Sequence, residues 1–281
     1  MKETIWYKAL KQSSKAIESG ALIPLDTFNI DLQLYNQKDF EIRKLKFKFP
    51  IKKKEFGPLI NPFLPWDKRL KIIDVLDSHL LILNKYPVQL GHMLLITNTW
   101  APQNGWLKLK DFEAMTKVEE DTTGLWFFNS SPLAGASQPH RHLQLLRREK
   151  TCPVCPRDNW FIDRASSKIK YTDILGRSIG VSLRSPATNM KALELFNLYK
   201  SICFELCIGN ESIDNKPLAP YNMIITSKWI SVIRRERDFS NGFNINSLGF
   251  AGYLITDNDG SIDWIKRNGA LKLLESVVDP S

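Results

Sequence analysis

The chemically suggestive residues are His140, His142 and Gln144, in the run Gly135-Ala136-Ser137-Gln138-Pro139-His140-Arg141-His142-Leu143-Gln144-Leu145. Two of the four histidines stand two residues apart, with a glutamine two further on. Alternate side chains of a β-strand share a face. The spacing therefore predicts His140, His142 and Gln144 on one side and Arg141, Leu143 and Leu145 on the other. A small, polar loop over residues 130–138 precedes them, and backbone amides in such a loop can hold anionic oxygens. The combination suggests an imidazole nucleophile facing a phosphate. A bare His-x-His also fits a metal pair or two partly buried polar residues; the loop and the trailing glutamine favour the nucleophile.

A neutral imidazole has one donor and one acceptor nitrogen. If a backbone carbonyl takes the proton of one nitrogen, the other is fixed as the nucleophile. Attack by His142 on an α-phosphorus would give a nucleotidyl-imidazole and split the displacement into two steps. Gln144 cannot ionise near neutral pH, but it can donate an amide hydrogen to the phosphoryl group. A third histidine there would offer a general acid and base suited to hydrolysis. The glutamine thus tilts the reading toward transfer to a second phosphate-bearing acceptor, without excluding water.

Several elements must position these residues. Ile5, Trp6, Ala9, Leu10, Ala16 and Ile17 predict a first helix. In residues 43–54, Leu45, Phe47 and Phe49 alternate with lysines as in a strand. Residues 79–84 and 88–97 predict a strand and its return partner, interrupted near Gly91. A helix is expected over 109–120, with strands over 125–129 and 142–146. Residues 151–184 look irregular. A helix is expected over 190–207, a hairpin over 221–234, a strand over 250–256 and a closing helix over 262–277. Mixed hairpins and helices give an α+β fold rather than a doubly wound sheet. A faint echo between the halves suggests related parts, 1–184 carrying the His-x-His-x-Gln motif and 185–281 completing the site, within one compact unit or two.

Bulk properties narrow the function classes. The chain has 281 residues, 43% of them hydrophobic and 25% charged, as expected of a globular protein. Its net charge of +9 suits an anionic partner or a generally basic surface. No apolar run approaches the roughly 20 residues of a membrane span. The charged N-terminus does not read as a signal peptide, so a cytoplasmic location is expected. No glycine-rich dinucleotide fingerprint or P-loop is present. Of the four cysteines, Cys152 and Cys155 have zinc-knuckle spacing but no second ligand pair, so a structural zinc is disfavoured. Cys203 and Cys207 read as helical core. His79 and His92 flank apolar strands and read as hydrogen-bonded structural histidines.

The run from Gly135 to Leu145 resembles the signature of the diadenosine tetraphosphate phosphorylases, or ATP adenylyltransferases. These enzymes belong to the histidine-triad-like superfamily, with the hexose-1-phosphate uridylyltransferases. Asn61-Pro62-Phe63-Leu64-Pro65, His79 to Lys85, His92 to Thr97, Tyr221 to Thr226, Trp229 and Asn246 to Gly252 resemble family segments in the same order, so the likeness spans roughly residues 45–255. The Cys152/Cys155 pair is the evident departure.

The resemblance implies a histidine-triad-like fold, with a mostly antiparallel sheet, packed helices and two related halves. It also implies attack by His142 on an α-phosphate of diadenosine tetraphosphate, release of ATP, and attack by inorganic phosphate on the adenylyl-histidine to give ADP. His140 would support the nucleophile and Gln144 would contact the phosphoryl group. Asn129 and the loop Gly135, Ala136, Ser137 and Gln138 would hold phosphate or ribose, and Asn84 and Lys85 would belong to the nucleotide site. Lys53 and Lys54 are basic candidates for the polyphosphate. Asn222, Thr226 and Arg234 are candidates from the second half. No protein metal site is expected, although Mg2+ or another divalent cation could neutralise the polyphosphate. The alternatives are a hydrolase or uridylyltransferase on the same fold, or a basic nucleic-acid-binding protein. The dispersed basic residues argue against the last.

Overall fold

The computed structural model of the chain describes residues 3–30, 39–47, 61–149, 153–167, 172–185 and 191–280. Lys53, Lys54 and Cys152 lie outside the described residues. In chain order the strands are β1 (Thr27–Ile30), β2 (Glu41–Leu45), β3 (Lys71–Val75), β4 (His79–Leu83), β5 (Met93–Thr97), β6 (Leu125–Asn129), β7 (His142–Leu146), β8 (Ile179–Leu183), β9 (Tyr221–Ile225), β10 (Trp229–Arg234), β11 (Phe239–Ser240), β12 (Phe243–Asn244) and β13 (Tyr253–Thr256). The helices are α1 (Thr4–Glu18), α2 (Leu109–Glu119), α3 (Asp158–Ser166), α4 (Ile174–Ser178), α5 (Lys191–Glu205), α6 (Ser247–Ala251), α7 (Asp259–Asn268) and α8 (Ala270–Glu275).

The scaffold is an eight-stranded sheet in the order β3-β4-β5-β7-β6-β9-β10-β8. Each neighbouring pair in it is antiparallel. It is the α+β, mostly antiparallel class that the sequence leads one to expect. Its centre joins the two halves: β6 pairs with β9, which sets Asn129 opposite Asn222. A smaller sheet, β1-β2-β13, contains one parallel pair, β2 with β13.

Helices cover both faces of the large sheet. On one face, Trp6 and Ala9 of α1, Phe112 and Met115 of α2, and Leu195 and Tyr199 of α5 join Leu143 and Leu145 of β7 in one buried cluster. On the other, Phe161 of α3, Phe250 of α6, Ile265 of α7 and Leu273 of α8 pack with Phe127, Leu146 and Ile224. Two-sided cover explains why β4, β5, β6 and β9 are buried at every position and read as apolar runs rather than alternations. Burying such side chains stabilises the fold by roughly 1.5–3 kcal/mol each.

Several elements differ from the sequence expectation. The return strand starts at Met93 rather than 88, because Gly91 turns with φ +75° and a Cβ there would stand 2.2 Å from the Trp6 ring. The closing helix is two helices broken at Gly269, whose φ is +86°. Phe250 is helical, because the Asn246 side chain accepts from Leu248 N–H and starts α6. The irregular stretch holds α3, α4 and β8. Among the described residues, no helix is long and apolar enough to cross a membrane.

Candidate active site

β7 begins at His142, and Pro139, which ends the loop, precedes the histidine pair directly. His142 is 3% exposed. Its Nδ1 lies 2.8 Å from the His140 carbonyl oxygen, so Nδ1 carries the proton and donates it. Nε2 is then the nitrogen with the lone pair. The backbone is held as well: His142 N–H donates to Gln103 Oε1 at 2.8 Å, and Gln103 Nε2 donates to the Asn129 carbonyl at 2.7 Å. Burial pushes the imidazole down to about 4; the bond to the His140 carbonyl opposes this, and the neighbouring His140 ring adds to it. The ring is therefore neutral at neutral pH, with an unprotonated Nε2.

His140 packs on the same Phe63 ring as His142 although it is not part of the strand. It lies before β7, bridged to Pro102, and is fully buried. Its Nε2 lies 3.0 Å from the Thr97 carbonyl and 2.8 Å from Thr97 Oγ1. Its Nδ1 faces Asn61 Nδ2 at 2.9 Å. Asn61 Oδ1 accepts from Phe63 N–H at 3.0 Å, which leaves the Asn61 NH2 to donate. Nδ1 of His140 is therefore an acceptor, Nε2 a donor, and both are engaged. Burial, first, lowers its pKa. What His140 turns toward His142 is its carbonyl oxygen. Phe63 packs against both rings, at 5.7 Å and 5.4 Å between centroids.

Beside this pair lies a cleft of about 430 Å³. Gln144, Asn84, Asn129, Gly135 and Ser137 line it, together with His92, Phe127 and Tyr253. His142 stands two strand positions from Gln144, roughly 7 Å along the strand. Asn129 Oδ1 accepts from Asn222 Nδ2 at 2.8 Å, from Ser247 N–H at 3.0 Å and from Ser247 Oγ at 2.7 Å. With its oxygen so occupied, Asn129 has an NH2 to offer a ligand.

The loop turns at Gly135, with φ +85°, where a Cβ would come 2.6 Å from that of Asn246. Gly135 and Ala136 N–H donate back into the turn, to Pro132 and Ser131 carbonyls. The N–H groups of Gly135 and Ala136 are thus spent within the turn, while the Ser131 hydroxyl has no partner among the described residues. Ser137 borders both the cleft and a second hollow of about 240 Å³ that Gln138, Trp100 and Gln103 also line. The two hollows share Ser137 of the loop, and neither is lined by the His140 or His142 side chain.

Other candidates lie further out. Asn222 is fully buried behind the site; its Nδ2 braces Asn129 and, at 2.8 Å, the Ala134 carbonyl of the loop. Lys85 is exposed, with its Nζ 5.6 Å from the Tyr86 ring centroid, and it does not line the cleft. Thr226 sits at the far end of β9, where its Oγ1 accepts from Lys228 N–H at 3.2 Å. Arg234 is tied to Asp279 at 2.9 Å and to the Leu206 carbonyl. The structure does not bring Thr226, Arg234 or Lys85 to the cleft.

The arginine that supports the site is Arg235, 1% exposed, which sequence reasoning missed. It donates to Asn222 Oδ1, to the Val277 carbonyl at 3.0 Å and to the Ile245 carbonyl at 2.9 Å. Burial pushes its guanidinium down to about 9. Strand alternation held the signal: Arg234 pairs with Tyr221 and Ile233 with Asn222, so Arg235 returns to the face of Asn222.

His79 lies on the opposite side, with Nε2 3.1 Å from Asp111 Oδ1, and Asp111 also pairs with Arg141 at 3.2 Å. The Cys155 thiol is buried, and burial pushes it up to about 12. Among the described residues, no group of three or more His, Cys, Asp or Glu side chains converges as a metal site.

Two family models divide the chain between them: the Ap4A phosphorylase N-terminal domain matches residues 1–156, and the ATP adenylyltransferase C-terminal domain matches residues 167–280. The chain belongs to the Ap4A phosphorylase family. It is 28% identical over 203 residues to Protein APA1 of Saccharomyces cerevisiae, an alignment covering 65% of this chain and 62% of that protein. The chain thus matches less than two thirds of that relative's length. It is 26% identical over 223 residues to diadenosine 5',5'''-P1,P4-tetraphosphate phosphorylase 2 of the same yeast, covering 69% and 68%. Its fold is that of the yeast Ap4A phosphorylase Apa2. The structure of Apa2 with AMP superposes with a TM-score of 0.75 at 21% identity, covering 98% of this chain and 97% of that one. The structure with Ap4A gives 0.73 at 19%, covering 97% and 95%.

Proposed function

We propose that this family member cleaves diadenosine tetraphosphate by phosphorolysis, through an adenylyl group carried on His142. The carrying observation is the Nδ1–H bond of His142 to the His140 carbonyl, which fixes a neutral ring with its lone pair on Nε2. Nε2 attacks an α-phosphorus; the P–N bond forms, the bond to the bridging oxygen breaks, and ATP leaves with the electron pair. An oxygen of inorganic phosphate then attacks the same phosphorus, the P–N bond breaks, and ADP is formed. As the ring gains positive character, the His140 carbonyl stabilises the charge at Nδ1.

Gln144 donates its amide hydrogens to the phosphoryl oxygens, and the Asn129 NH2 and the Ser137–Gln138 turn hold the neighbouring phosphates. Gln144 carries no titratable proton, so nothing at that position activates water, and an acceptor that is already anionic is favoured. The relatives support the substrate: one is named as a diadenosine tetraphosphate phosphorylase, and Apa2 has been seen with Ap4A and AMP. Residues 1–184 supply the nucleophile and the loop, and the part from 185 onward braces them through Asn222, Arg235 and Ser247. The test is phosphate dependence. Purified protein with diadenosine tetraphosphate should yield ATP and ADP only when phosphate is supplied; equal turnover without it, giving ATP and AMP, would overturn the reading.

A further inference from the structure

His92 is a buried imidazole at the cleft for which the reaction above has no use. It is 8% exposed, and its Nε2 makes no hydrogen bond of ordinary length and angle. The other ring nitrogen is spoken for through a short relay. Tyr86 N–H donates to Asn84 Oδ1 at 3.2 Å, which fixes the orientation of that amide. Asn84 Nδ2 then faces His92 Nδ1 at 3.1 Å and must donate to it. In the neutral ring, Nδ1 is therefore the acceptor and the proton sits on Nε2. Burial pushes the His92 pKa down to about 4, so the ring is neutral at neutral pH. A buried N–H without an acceptor costs roughly 1–3 kcal/mol, which gives the ring reason to find one.

The sheet register supplies the acceptor. Leu94 sits opposite Gln144, and Met93 opposite Leu145. His92 lies two residues before Leu94 on the same face, so it is a diagonal neighbour of Gln144, within reach of a long side chain. Both line the cleft, and Gln144 is close enough to influence the His92 proton. On the far side of β7, Phe127 of β6 packs its ring 5.7 Å from that of His92 and pairs through the backbone with Gln144.

The orientation of the Gln144 amide matters, since its NH2 attracts a phosphoryl oxygen and its C=O repels one. We propose that His92 is a positioning residue for Gln144, taking the amide oxygen on its Nε2–H and thereby turning the NH2 to the phosphoryl group. Asn84 belongs to the same relay, because it decides which nitrogen of His92 carries the proton. This inference rests on the phosphoryl-contact role proposed for Gln144.

The test is a double-mutant cycle on the full chain, with kcat and KM for diadenosine tetraphosphate and the thermal midpoint measured for each variant. Gln144→Ala should lower kcat by about 100-fold, as for a lost transition-state donor. His92→Phe keeps a ring against Phe127 but removes the donor, and should lower kcat by roughly tenfold with KM little changed. Introduced into Gln144→Ala, it should cost nothing further. His92→Gln, whose amide nitrogen falls near the place of Nε2, should restore most of kcat, whereas the shorter His92→Asn should not. This Asn–Gln contrast decides the matter even if the phenylalanine variant does not fold. The same loss from His92→Phe in both backgrounds, or full kcat in both His92→Phe and His92→Asn, overturns the inference while leaving the role of Gln144 standing. Unchanged turnover in Gln144→Ala removes both.

Discussion

If the nucleophile is held neutral by burial, the first chemical step should be insensitive to pH across the range where histidines ordinarily titrate. With its pKa near 4, His142 is about 97% neutral at pH 5.5, whereas a ring at the ordinary 6.5 is only about 9% neutral. Inorganic phosphate titrates in the same range, so it must be left out. The assay is the pre-steady-state burst of ATP from diadenosine tetraphosphate in phosphate-free buffer, followed from pH 7.5 to pH 5.5. The burst rate should stay within about twofold; a fall of roughly tenfold with an apparent pKa near 6.5 would refute the argument.

The same burial has a stability consequence. The unfolded chain binds a proton at each histidine near 6.5, and the folded chain binds it at His142 and His92 only near 4. Between these values the unfolded state holds more protons, so stability is present above 6.5 and is lost as pH falls toward 4. At pH 5 the loss is about 2 kcal/mol for each of the two rings. Urea denaturation at pH 7 and pH 5 should show a drop of this order, and the midpoint should move more steeply between these values than between pH 8 and pH 7.

Other perturbations separate support from surface. Arg235→Leu leaves the Ile245 carbonyl and Asn222 Oδ1 without their Arg235 donors and takes from the Val277 carbonyl one of its two, the other being Glu236 N–H, and should destabilise by about 3 kcal/mol in urea denaturation, with reduced turnover. Arg234→Leu breaks a half-buried ion pair with Asp279 and a bond to the Leu206 carbonyl, both away from the cleft, and should cost about 1–2 kcal/mol, with turnover unchanged. Gln103→Ala removes the acceptor of His142 N–H and a donor to the Asn129 carbonyl. It should lower kcat more than it raises KM in steady-state assays; a rise in KM alone would mean that Gln103 acts only on binding.

Much of the fold was legible in the sequence because apolar runs bounded by polar turns leave few choices. β6 and β7 fall on the expected residues, 125–129 and 142–146. The expected single closing helix broke on a glycine with positive φ, and a strand over Phe250 gave way to the helix that Asn246 caps. β3 was missed because Lys71 and Asp74 disguise a five-residue strand. At the site, alternation is a reliable guide as far as the strand's backbone pairing continues, which includes Arg235 just past β10 and His92 just before β5. It relates His142 to Gln144 inside β7, while His140 precedes β7 and takes its partners, Asn61 and Thr97, from distant segments. No local spacing could have announced that both His140 nitrogens are engaged. The choice of Arg234 over Arg235 is different, because the strand period, applied from Asn222, points to the correct arginine.

The most direct test of the central claim is isolation of the covalent intermediate. Protein mixed with diadenosine tetraphosphate labelled in its α-phosphates, without inorganic phosphate, should trap an acid-labile, alkali-stable label on the peptide containing His142. Added phosphate should chase that label into ADP. Label that persists in His142→Ala, or turnover with no trapped adduct, would contradict the account.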